Sequence, residues 1–313
     1  METSKAVILK RFGGPEVLSV EAVPMPQPLD DEVLVRVAAA SLNPVDYKIR
    51  QGGYPLVTAD KLPIVMGRDL AGTIEICGTR AHYMLTKGDP VFAFIGQDRG
   101  AQSEYVLVKA IELVAAPKQL DMAHAAAVPL AAITAWQGLF DHGGLQAGQR
   151  VLIHGGAGGV GHMAVQLAKT KGTTVFATAS GHDLDFVRGL GADIVIDYET
   201  ERFEDKATDM DVVFDLIGGE TQARSWAVLR DGGIMVSTLG EPDTSKAGGR
   251  NVRVGPGYHA QPNAAQLGQI AALIDAGKVK VTVSETFGID NVRAAHERLE
   301  HGGVRGEIVL TLA

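Results

Sequence analysis

A glycine-rich segment near the middle of the chain constrains its fold more than any other feature of the sequence. The segment, HGGAGGVGHMAVQLAK at 154–169, contains Gly156, Gly158 and Gly161 in the spacing G-x-G-x-x-G. An apolar run typical of a buried strand, VLIHG at 151–155, precedes it, and a run with helical periodicity follows. A strand, a glycine-rich turn and a helix in this order form the setting in which this spacing binds a dinucleotide.

The three glycines have separate physical tasks in such a loop. Gly156 is expected to permit the tight turn, Gly158 to let the backbone approach a pyrophosphate, and Gly161 to let the helix pack closely on the strand. The N-terminus of the helix then offers unpaired N–H groups and a positive dipole end to the phosphates. The alternative is a glycine-rich turn without a ligand, but further strand–helix units follow and favour dinucleotide binding.

The hydrophobic pattern differs on the two sides of this loop. Before about residue 125, short β-branched runs separated by Gly, Asp and Pro predict a mainly-β unit like a small barrel or sandwich. Between 151 and 240, apolar strands alternate with helices, which is typical of a parallel sheet covered on both faces. In that stretch we predict a helix at 220–230 and a strand at 233–240. The mixed pattern after residue 263 indicates that the chain returns to its first domain.

Charge and hydropathy exclude several classes of function. The 37 acidic residues against 29 basic ones give a net charge of −8, which argues against a nucleic-acid surface, because such a surface needs a basic face. No run of ~18 uncharged apolar residues occurs, so we expect no membrane partner. The apolar run at 6–9 is too short for a signal peptide, and we therefore expect a cytoplasmic protein.

The chain contains a single cysteine, Cys77. One cysteine excludes an intramolecular disulfide framework and any zinc site built from several thiolates. Because Cys77 ends a predicted apolar strand, we expect its thiol to be buried and chemically inert.

The end of the second strand after the glycine loop indicates which dinucleotide binds. An NAD site places Asp or Glu about 20 residues beyond the motif to hold the ribose 2′-hydroxyl. Here Ala179, Ser180 and Gly181 occupy that place, so no carboxylate repels a 2′-phosphate and the Ser180 hydroxyl can donate to it. We favour NADP(H) over NAD(H), while Asp183 and Asp185 weaken the argument. The alternative for Ser180 is the N-cap of the next helix, a role compatible with the first.

Several motifs along the chain together resemble one family. They are NPVDYKIRQGGYP (43–55), GRDLAGTIE (67–75), GDPVFAF (88–94), PLAAITAWQGL (129–139), the glycine-rich segment (154–169), LGAD (190–193), FDLIGG (214–219) and RGEIVL (305–310). The chain resembles the zinc-independent medium-chain dehydrogenases/reductases, specifically the quinone oxidoreductase group that includes zeta-crystallin and the NADPH-dependent alkenal/enone reductases.

The resemblance implies an α/β fold with a GroES-like, mainly-β catalytic domain and a Rossmann domain with a doubly wound parallel sheet. The GroES-like domain would comprise 1–127 and 263–313, and the Rossmann NADP(H)-binding domain 128–262. It also implies a cofactor in the cleft between the two domains and a homodimer.

The resemblance further implies which residues bind the cofactor. They are Thr134 near the phosphates; Gly156, Gly158, Gly159, Val160 and Gly161 in the pyrophosphate loop; Ser180 and Tyr198 at the adenosine 2′-phosphate; and Ile217, Gly218, Leu239 and Gly240 at the nicotinamide and its ribose. The alternative for the glycines is turn formation alone, and for Tyr198 a surface position at the end of a strand.

The chain departs from the zinc-dependent relatives where their metal ligands stand. Gly67, Arg68 and Asp69 replace the usual Gly-His-Glu, and no cysteine lies near Asn43, so we expect no metal. Without a Lewis acid to stabilise an alkoxide, oxidation of a simple alcohol is disfavoured. Quinones and alkenes conjugated to a carbonyl accept a hydride more readily and suit a site without a metal. Hydride transfer to them gives a hydroquinone anion or an enolate, which needs a hydrogen-bond donor and a proton.

Three candidate catalytic residues lie in the motif at 43–55. By the resemblance, the amide of Asn43 would orient substrate or nicotinamide, and the alternative is capping of the following helix. Tyr54 matches a family tyrosine directed towards the substrate, where its protonated phenol can donate, and the alternative is a packing aromatic. Lys48 stands where enone reductases often carry lysine, and the alternative is a surface lysine. We interpret His154 as a strand-end histidine rather than a catalytic one.

The leading hypothesis is an NADPH-dependent reductase of quinones or α,β-unsaturated carbonyls, with a small-molecule substrate. One alternative is an enoyl-thioester reductase, which needs a basic surface for a coenzyme A phosphate. Another is an NADPH-binding protein without turnover, as in the lens crystallins of the group.

Overall fold

The computed structural model describes residues 2–83 and 85–312, which form two compact units. Among the described residues, unit 1 comprises 2–130, 262–276 and 281–312, and unit 2 comprises 131–261 and 277–280. No helix within the described part of the chain is long and apolar enough to cross a membrane.

The strands and helices are numbered in chain order. The strands are β1 (Thr3–Leu9), β2 (Leu18–Pro24), β3 (Glu32–Leu42), β4 (Ile64–Val65), β5 (Asp69–Cys77), β6 (Pro90–Phe94), β7 (Tyr105–Lys109), β8 (Val114–Ala115), β9 (Arg150–Ile153), β10 (Thr174–Ala179), β11 (Ile194–Asp197), β12 (Met210–Asp215), β13 (Leu229–Ser237), β14 (Arg253–Val254), β15 (Val283–Gly288) and β16 (Glu307–Thr311). The helices are α1 (Pro44–Arg50), α2 (Met122–Ala126), α3 (Pro129–Trp136), α4 (Gly159–Thr170), α5 (Leu184–Gly189), α6 (Gly219–Ser225), α7 (Ala264–Asp275) and α8 (Val292–Glu300). A π-helical segment, Gln137–His142, continues α3.

Unit 1 is built mainly from antiparallel strands. One sheet has the order β2-β1-β4, and the other has the order β15-β16-β3-β5-β6-β8, with β7 also paired to β3. Strand β16 from the end of the chain pairs antiparallel with β3, with Ile308 opposite Leu42. Residues of these strands, among them Val35, Ile74 and Leu310, are buried in one apolar core.

Unit 2 contains a parallel sheet, as the alternating strand and helix pattern predicts. Its strand order is β11-β10-β9-β12-β13-β14, and every pair in it is parallel. The order reverses between β9 and β12, and ligands of such sheets bind outside the carboxyl ends of the strands at that reversal. Leu152, Phe176, Val213 and Met235, from four neighbouring strands, are buried in the core of this unit.

Two predictions of local structure were wrong. Helix α6 ends at Ser225 instead of continuing to residue 230, and β13 begins at Leu229 instead of residue 233. Leu229 is paired with Met210 of β12, so sheet pairing overrides the local helical pattern. Cys77, expected to be buried, is half-buried at the end of β5, and burial still raises the pKa of its thiol.

Candidate functional site

The glycine-rich loop follows β9 at the reversal of the strand order. Gly155 has a φ of +74°, a conformation that residues with a side chain rarely adopt. Its N–H donates to Thr178 Oγ1 at 3.2 Å, and the N–H of Gly156 donates to the Thr178 carbonyl at 2.9 Å. The tight turn is therefore made at Gly155, one residue before the position predicted from the motif, which was wrong on this point.

The other glycines of the motif differ in what a side chain would meet. A Cβ at Gly161 would lie 2.0 Å from the Gly155 carbonyl oxygen, so the close approach of α4 to the loop excludes any side chain there. A Cβ at Gly156 would lie 3.0 Å from the Cβ of Ala177 in β10. A Cβ at Gly158 would meet only the Gly155 carbonyl oxygen, at an ordinary contact distance of 3.7 Å, so the loop is otherwise open on that side.

These contacts fit a loop that holds a pyrophosphate. Helix α4 begins at Gly159, directly followed by Val160, and its N-cap, Gly158, supplies no side-chain cap. The first N–H groups of a helix have no intrahelical partner, and they attract an anion at its positive dipole end. Open space beside Gly158 and uncapped N–H groups at the same helix end thus fit the phosphates of a dinucleotide.

His154 lies directly before the loop and is fully buried. Its Nδ1 is 3.2 Å from Thr178 Oγ1, and its Nε2 is 2.8 Å from Ser225 Oγ. Burial lowers its pKa to about 4, so the ring is neutral at neutral pH. Both ring nitrogens contact hydroxyl groups inside unit 2, which agrees with the interpretation of His154 as a strand-end residue.

The turn after β12 is held by a carboxylate to which the sequence analysis gave no role. Asp215 Oδ1 accepts from the N–H groups of Ile217 at 3.0 Å and Gly218 at 2.9 Å. Its Oδ2 accepts from Gln222 Nε2 at 2.8 Å and Ser237 Oγ at 2.9 Å. Asp215 belongs to the FDLIGG motif, which is the sequence signal that could have identified it.

The predicted residues at the ends of β12 and β13 lie together in unit 2. Gly218 has a φ of +78°, and a Cβ there would lie 2.7 Å from Leu239 Cδ1. Gly240 has a φ of +110°. Ile217 is 54% exposed and Leu239 45% exposed, which leaves the faces of these neighbouring apolar side chains available to a ligand.

The predicted 2′-phosphate residues lie at the ends of β10 and β11. The N–H of Tyr198 donates to the Ala179 carbonyl, directly before Ser180, and the Tyr198 ring is 60% exposed. Ser180 precedes a 3-10 turn at 181–183 without a side-chain capping bond, the N-cap position of α5 is Asp183, and the Ser180 hydroxyl donates to Asp183 Oδ2 at 2.8 Å. The sequence indicated that Asp183 was near, but not that it would bind this hydroxyl.

Thr134 is half-buried in α3, and its backbone is tied to a tyrosine that sequence analysis missed. Tyr258 Oη donates to the Thr134 carbonyl at 2.9 Å, and burial raises the pKa of Tyr258. The same oxygen would lie 2.4 Å from a Cβ at Gly138, so glycine at 138 admits the Tyr258 phenol. This hydrogen bond holds the backbone of α3 in place at Thr134, the residue predicted to face the phosphates.

In unit 1, Asn43 and Asp46 cap α1. The N–H of Asn43 donates to Asp46 Oδ2 at 2.8 Å, and Asn43 Nδ2 donates to Ser41 Oγ at 2.8 Å. Asn43 is only 3% exposed, and the capping alternative therefore describes its contacts in this structure.

Three buried carboxylates lie around this cap. Burial raises the pKa of Asp46 to about 7 and that of Asp69 to about 6, and it raises the pKa of Glu307 well above its usual value. Asp69 accepts from Ser41 Oγ at 2.6 Å and from the N–H of Leu130 at 3.1 Å. Within residues 2–83 and 85–312, no group of three or more His, Cys, Asp and Glu side chains is arranged to hold a metal ion.

Tyr54 is buried, and its phenol oxygen accepts from Gln97 Nε2 at 2.8 Å. Burial raises the pKa of Tyr54, so the phenol keeps its proton at neutral pH. Gln97 was not identified from the sequence, because it lies 43 residues further along the chain. Lys48 is half-buried on α1, and its carbonyl accepts from the N–H of Gly53, which ties α1 to the loop that carries Tyr54.

Comparison with known proteins gives matches along the whole chain. Residues 29–118 match the family model of the alcohol dehydrogenase GroES-like domain, and residues 190–310 match that of zinc-binding dehydrogenase. The 2-methylene-furan-3-one reductase of Solanum lycopersicum is 36% identical over 96% of this chain and 76% of its own. The NADPH-dependent alkenal/one oxidoreductase, chloroplastic, of Arabidopsis thaliana is 37% identical over 98% of this chain and 79% of its own.

Solved structures of oxidoreductases are also similar to this chain over its whole length. The quinone oxidoreductase from Coxiella burnetii superposes with a TM-score of 0.91 at 34% identity, and the match covers 100% of both chains. The CurK enoyl reductase superposes with a TM-score of 0.89 at 27% identity, again over 100% of both chains.

Proposed function

Because this chain belongs to the medium-chain dehydrogenase/reductase family, in its quinone oxidoreductase and alkenal/enone reductase group, we propose that it reduces quinones or α,β-unsaturated carbonyls. It is an oxidoreductase with NADP(H) as cofactor, which when bound supplies the hydride. The observation that carries this proposal is the loop at 155–161, open beside Gly158 and followed by uncapped N–H groups of α4.

We assign the cofactor-binding residues of unit 2 according to their places along the sheet. Gly159 and Val160 offer backbone N–H groups to the pyrophosphate, and Gly158, whose own N–H donates to the Gly155 carbonyl at 3.2 Å, lets the backbone approach it. Thr134 stands beside the phosphates on α3, and Ser180 and Tyr198 face the adenosine end. Asp215 holds the turn in which Ile217 and Gly218 meet the nicotinamide ribose, and Leu239 and Gly240 complete that surface.

Tyr54 is the residue of unit 1 that we assign to the substrate. An enolate or hydroquinone anion carries negative charge on oxygen, and a protonated phenol stabilises such an oxygen by donating a hydrogen bond. Gln97 donates to the phenol oxygen and so orients it. Lys48 is proposed as a cation near that oxygen, and the buried Asn43 as a residue that positions α1 through its cap.

We also propose that the reaction needs no zinc. At the position of the zinc ligands in related dehydrogenases, Asp69 accepts hydrogen bonds from Ser41 and the Leu130 N–H, and Asn43 donates to Ser41. These groups are satisfied by one another, and Arg68 brings a positive charge near Asp46, which accepts from the N–H of Asn43. The test is activity after treatment with a chelator, together with the metal content of the purified protein. Full activity and substoichiometric metal would support a reaction without zinc. Loss of activity that Zn²⁺ restores would contradict it.

The direct test of the function is turnover with a panel of acceptors. The protein and NADPH are mixed with quinones, enones and enoyl thioesters, and the loss of NADPH absorbance is followed. We expect turnover of quinones or enones. NADPH binding without turnover of any acceptor would favour the non-catalytic alternative and overturn the reductase.

An enoyl-thioester reductase is the second candidate, because the CurK enoyl reductase superposes over the whole chain. Faster turnover of enoyl thioesters than of simple enones would favour it. The two candidates share the loop at 155–161, so the acceptor panel separates them and cofactor binding does not.

We propose further that the protein is a cytoplasmic homodimer whose GroES-like domain comprises 1–127 and 263–313, with 128–262 as the Rossmann domain. Light scattering coupled to gel filtration tests the dimer, cell fractionation tests the location, and limited proteolysis near residues 127 and 262 tests the boundaries. A monomer would contradict the dimer, and recovery in a membrane or organelle fraction would contradict the cytoplasmic location. Cleavage at other positions would contradict the domain boundaries.

A further inference from the structure

The adenosine end of the proposed cofactor site contains a buried carboxylate where a 2′-phosphate needs donors. Ser180 Oγ donates to Asp183 Oδ2 at 2.8 Å, and the Asp183 side chain is 8% exposed. A serine hydroxyl has one proton, so while it bonds to Asp183 it offers only lone pairs to any other group. In this arrangement Ser180 accepts hydrogen bonds and does not donate one to an incoming oxygen.

The groups around Ser180 have mainly negative charge. His182 Nε2 lies 3.3 Å from the same Asp183 oxygen, so this imidazole also faces the carboxylate. The N–H of Gly181 donates to Glu199 Oε2 at 3.3 Å, and a Cβ at Gly181 would lie 3.2 Å from Asp197 Oδ2. The nearest guanidinium of α5, that of Arg188, is paired with Asp185 at 2.6 Å.

These charges act differently on the two forms of the cofactor. A ribose 2′-phosphate is a dianion with acceptor oxygens only, and a nearby carboxylate repels it. A ribose 2′-hydroxyl both donates and accepts, so it can donate to Asp183 or to the Ser180 oxygen at no electrostatic cost. The residue types at 179–181 favour the 2′-phosphate of NADP(H). The contacts of Ser180 reduce this preference, because they suit a 2′-hydroxyl better.

We propose that Asp183 is a specificity-determining residue, which by holding the Ser180 hydroxyl weakens the preference of this enzyme for NADPH over NADH. The proposal rests on the function proposed above, since it concerns the same cofactor site. It adds that both cofactors bind with affinities of the same order, and that the identity of residue 183 sets their ratio.

The test is the dissociation constant of NADPH and of NADH, measured by fluorescence titration without a substrate, for the wild type and Asp183→Asn. The amide removes the negative charge, and its Nδ2 can donate to the Ser180 oxygen, which leaves the Ser180 proton for the 2′-phosphate. We expect NADPH to bind about tenfold more tightly to Asp183→Asn, the value of one hydrogen bond to a charged group, and NADH to change less than twofold. Equal changes for both cofactors, or none, would overturn the proposal.

Asp185→Asn is the matched control. It removes the same charge from the first turn of α5, but the Asp185 side chain is 97% exposed and pairs with Arg188 instead of Ser180. We expect less than a twofold change in the NADPH to NADH ratio. An effect as large as that of Asp183→Asn would mean that net charge alone acts, and would contradict a specific role of Asp183.

A double-mutant cycle with Ser180→Ala isolates the hydroxyl. If Asp183 acts by holding the Ser180 proton, Ser180→Ala should cost little NADPH affinity in the wild type and should abolish most of the gain in Asp183→Asn. Additive effects of the two substitutions would contradict the proposed coupling.

Two fragments of the cofactor keep the proposal testable in the unaltered protein, in case Asp183→Asn fails to fold. Adenosine 2′,5′-bisphosphate and 5′-AMP differ by the 2′-phosphate, and we expect their dissociation constants to agree within about tenfold. A preference above a hundredfold for the bisphosphate would refute the proposal while supporting the NADPH site. Failure of both fragments and both cofactors to bind would instead refute the proposed function.

Discussion

Two buried carboxylates, one in each unit, are held in opposite ways. Asp215 in unit 2 accepts four hydrogen bonds, two of them from the backbone of the turn that follows its own strand. Asp46 in unit 1 accepts from the N–H of Asn43, while its Oδ1 has no hydrogen-bond partner among the described residues. The first arrangement fixes a turn, and the second favours a carboxyl group that keeps its proton.

The surroundings explain the difference. In unit 2 the donors around Asp215 include the backbone N–H groups of Ile217 and Gly218, so the carboxylate holds the turn to which they belong. In unit 1, burial is the main cause that raises the pKa of Asp46 and of Glu307; the charge of Asp69 raises both pKa values further, and the charge of Asp46 adds to the rise at Glu307. Unit 2 therefore supplies fixed geometry for a phosphate-bearing cofactor, and unit 1 supplies a region where protons are retained.

Gly161→Ala should have the largest effect, because the rigid backbone of unit 2 leaves no room for a methyl group. Its Cβ would lie 2.0 Å from the Gly155 carbonyl oxygen, and we expect a loss of about 3 kcal/mol in the free energy of unfolding. NADPH binding should be lost in fluorescence titrations, since the loop must shift. Gly189→Ala in α5 is the control: its Cβ meets no atom within 4 Å, and we expect equal or slightly higher stability in urea.

Asp215→Asn should have the second largest effect. The amide can accept from only one pair of donors, so two of the four buried donors lose their partner, at about 2–3 kcal/mol. The turn at 217–218 loosens, and NADPH should bind about tenfold more weakly. Asp211→Asn near the start of the same strand is the control, with unchanged NADPH affinity. Unchanged affinity in Asp215→Asn as well would separate this turn from the cofactor.

These two residues show how much the sequence could predict. The loop at 155–161 was identifiable, because the spacing of its glycines is a local signal and the close approach at Gly161 is to Gly155 within the same motif. Even there the tight turn was assigned to Gly156, since a spacing does not report φ. Asp215 was part of a recognised motif, but its donor Ser237 comes from the next strand, and no local pattern predicts that contact.

The contacts of unit 1 were less predictable for the same reason. Gln97 reaches Tyr54 across 43 residues, and Glu307 lies near Asp46 through the pairing of β16 with β3. The parallel sheet and the mainly-β unit follow from hydrophobic periods. Side-chain pairs distant in sequence depend on strand register, which periodicity leaves open.

Asp46→Asn should change how stability depends on pH. The pKa of Asp46 is raised to about 7 in the folded protein from an ordinary value of 3.8, so the folded state binds more protons than the unfolded state between these values. The free energy of unfolding therefore falls as pH rises from about 4 to 7, by up to about 1.4 kcal/mol per pH unit for this one group.

Removing the carboxyl group should remove this slope. We expect urea unfolding of Asp46→Asn to depend less steeply on pH between 5 and 7 than that of the wild type. Asp60→Asn is the control, because Asp60 is exposed and hydrogen bonding lowers its pKa, so it stays charged throughout this range. Parallel pH profiles of the wild type and Asp46→Asn would show that Asp46 is ionised in the folded protein.

Tyr54→Phe should have the smallest effect, and it tests whether unit 1 contributes to chemistry while unit 2 contributes to binding. Loss of one hydrogen bond to the product oxygen should lower kcat about tenfold, or ~1.4 kcal/mol of activation free energy, with an unchanged dissociation constant for NADPH. Gln97→Ala keeps the phenol but removes the group that orients it, so we expect a smaller loss of kcat with the same cofactor affinity.

An unaltered kcat in Tyr54→Phe would remove Tyr54 from the mechanism. Weaker NADPH binding in either variant would mean that the division between a binding unit and a chemical unit is wrong.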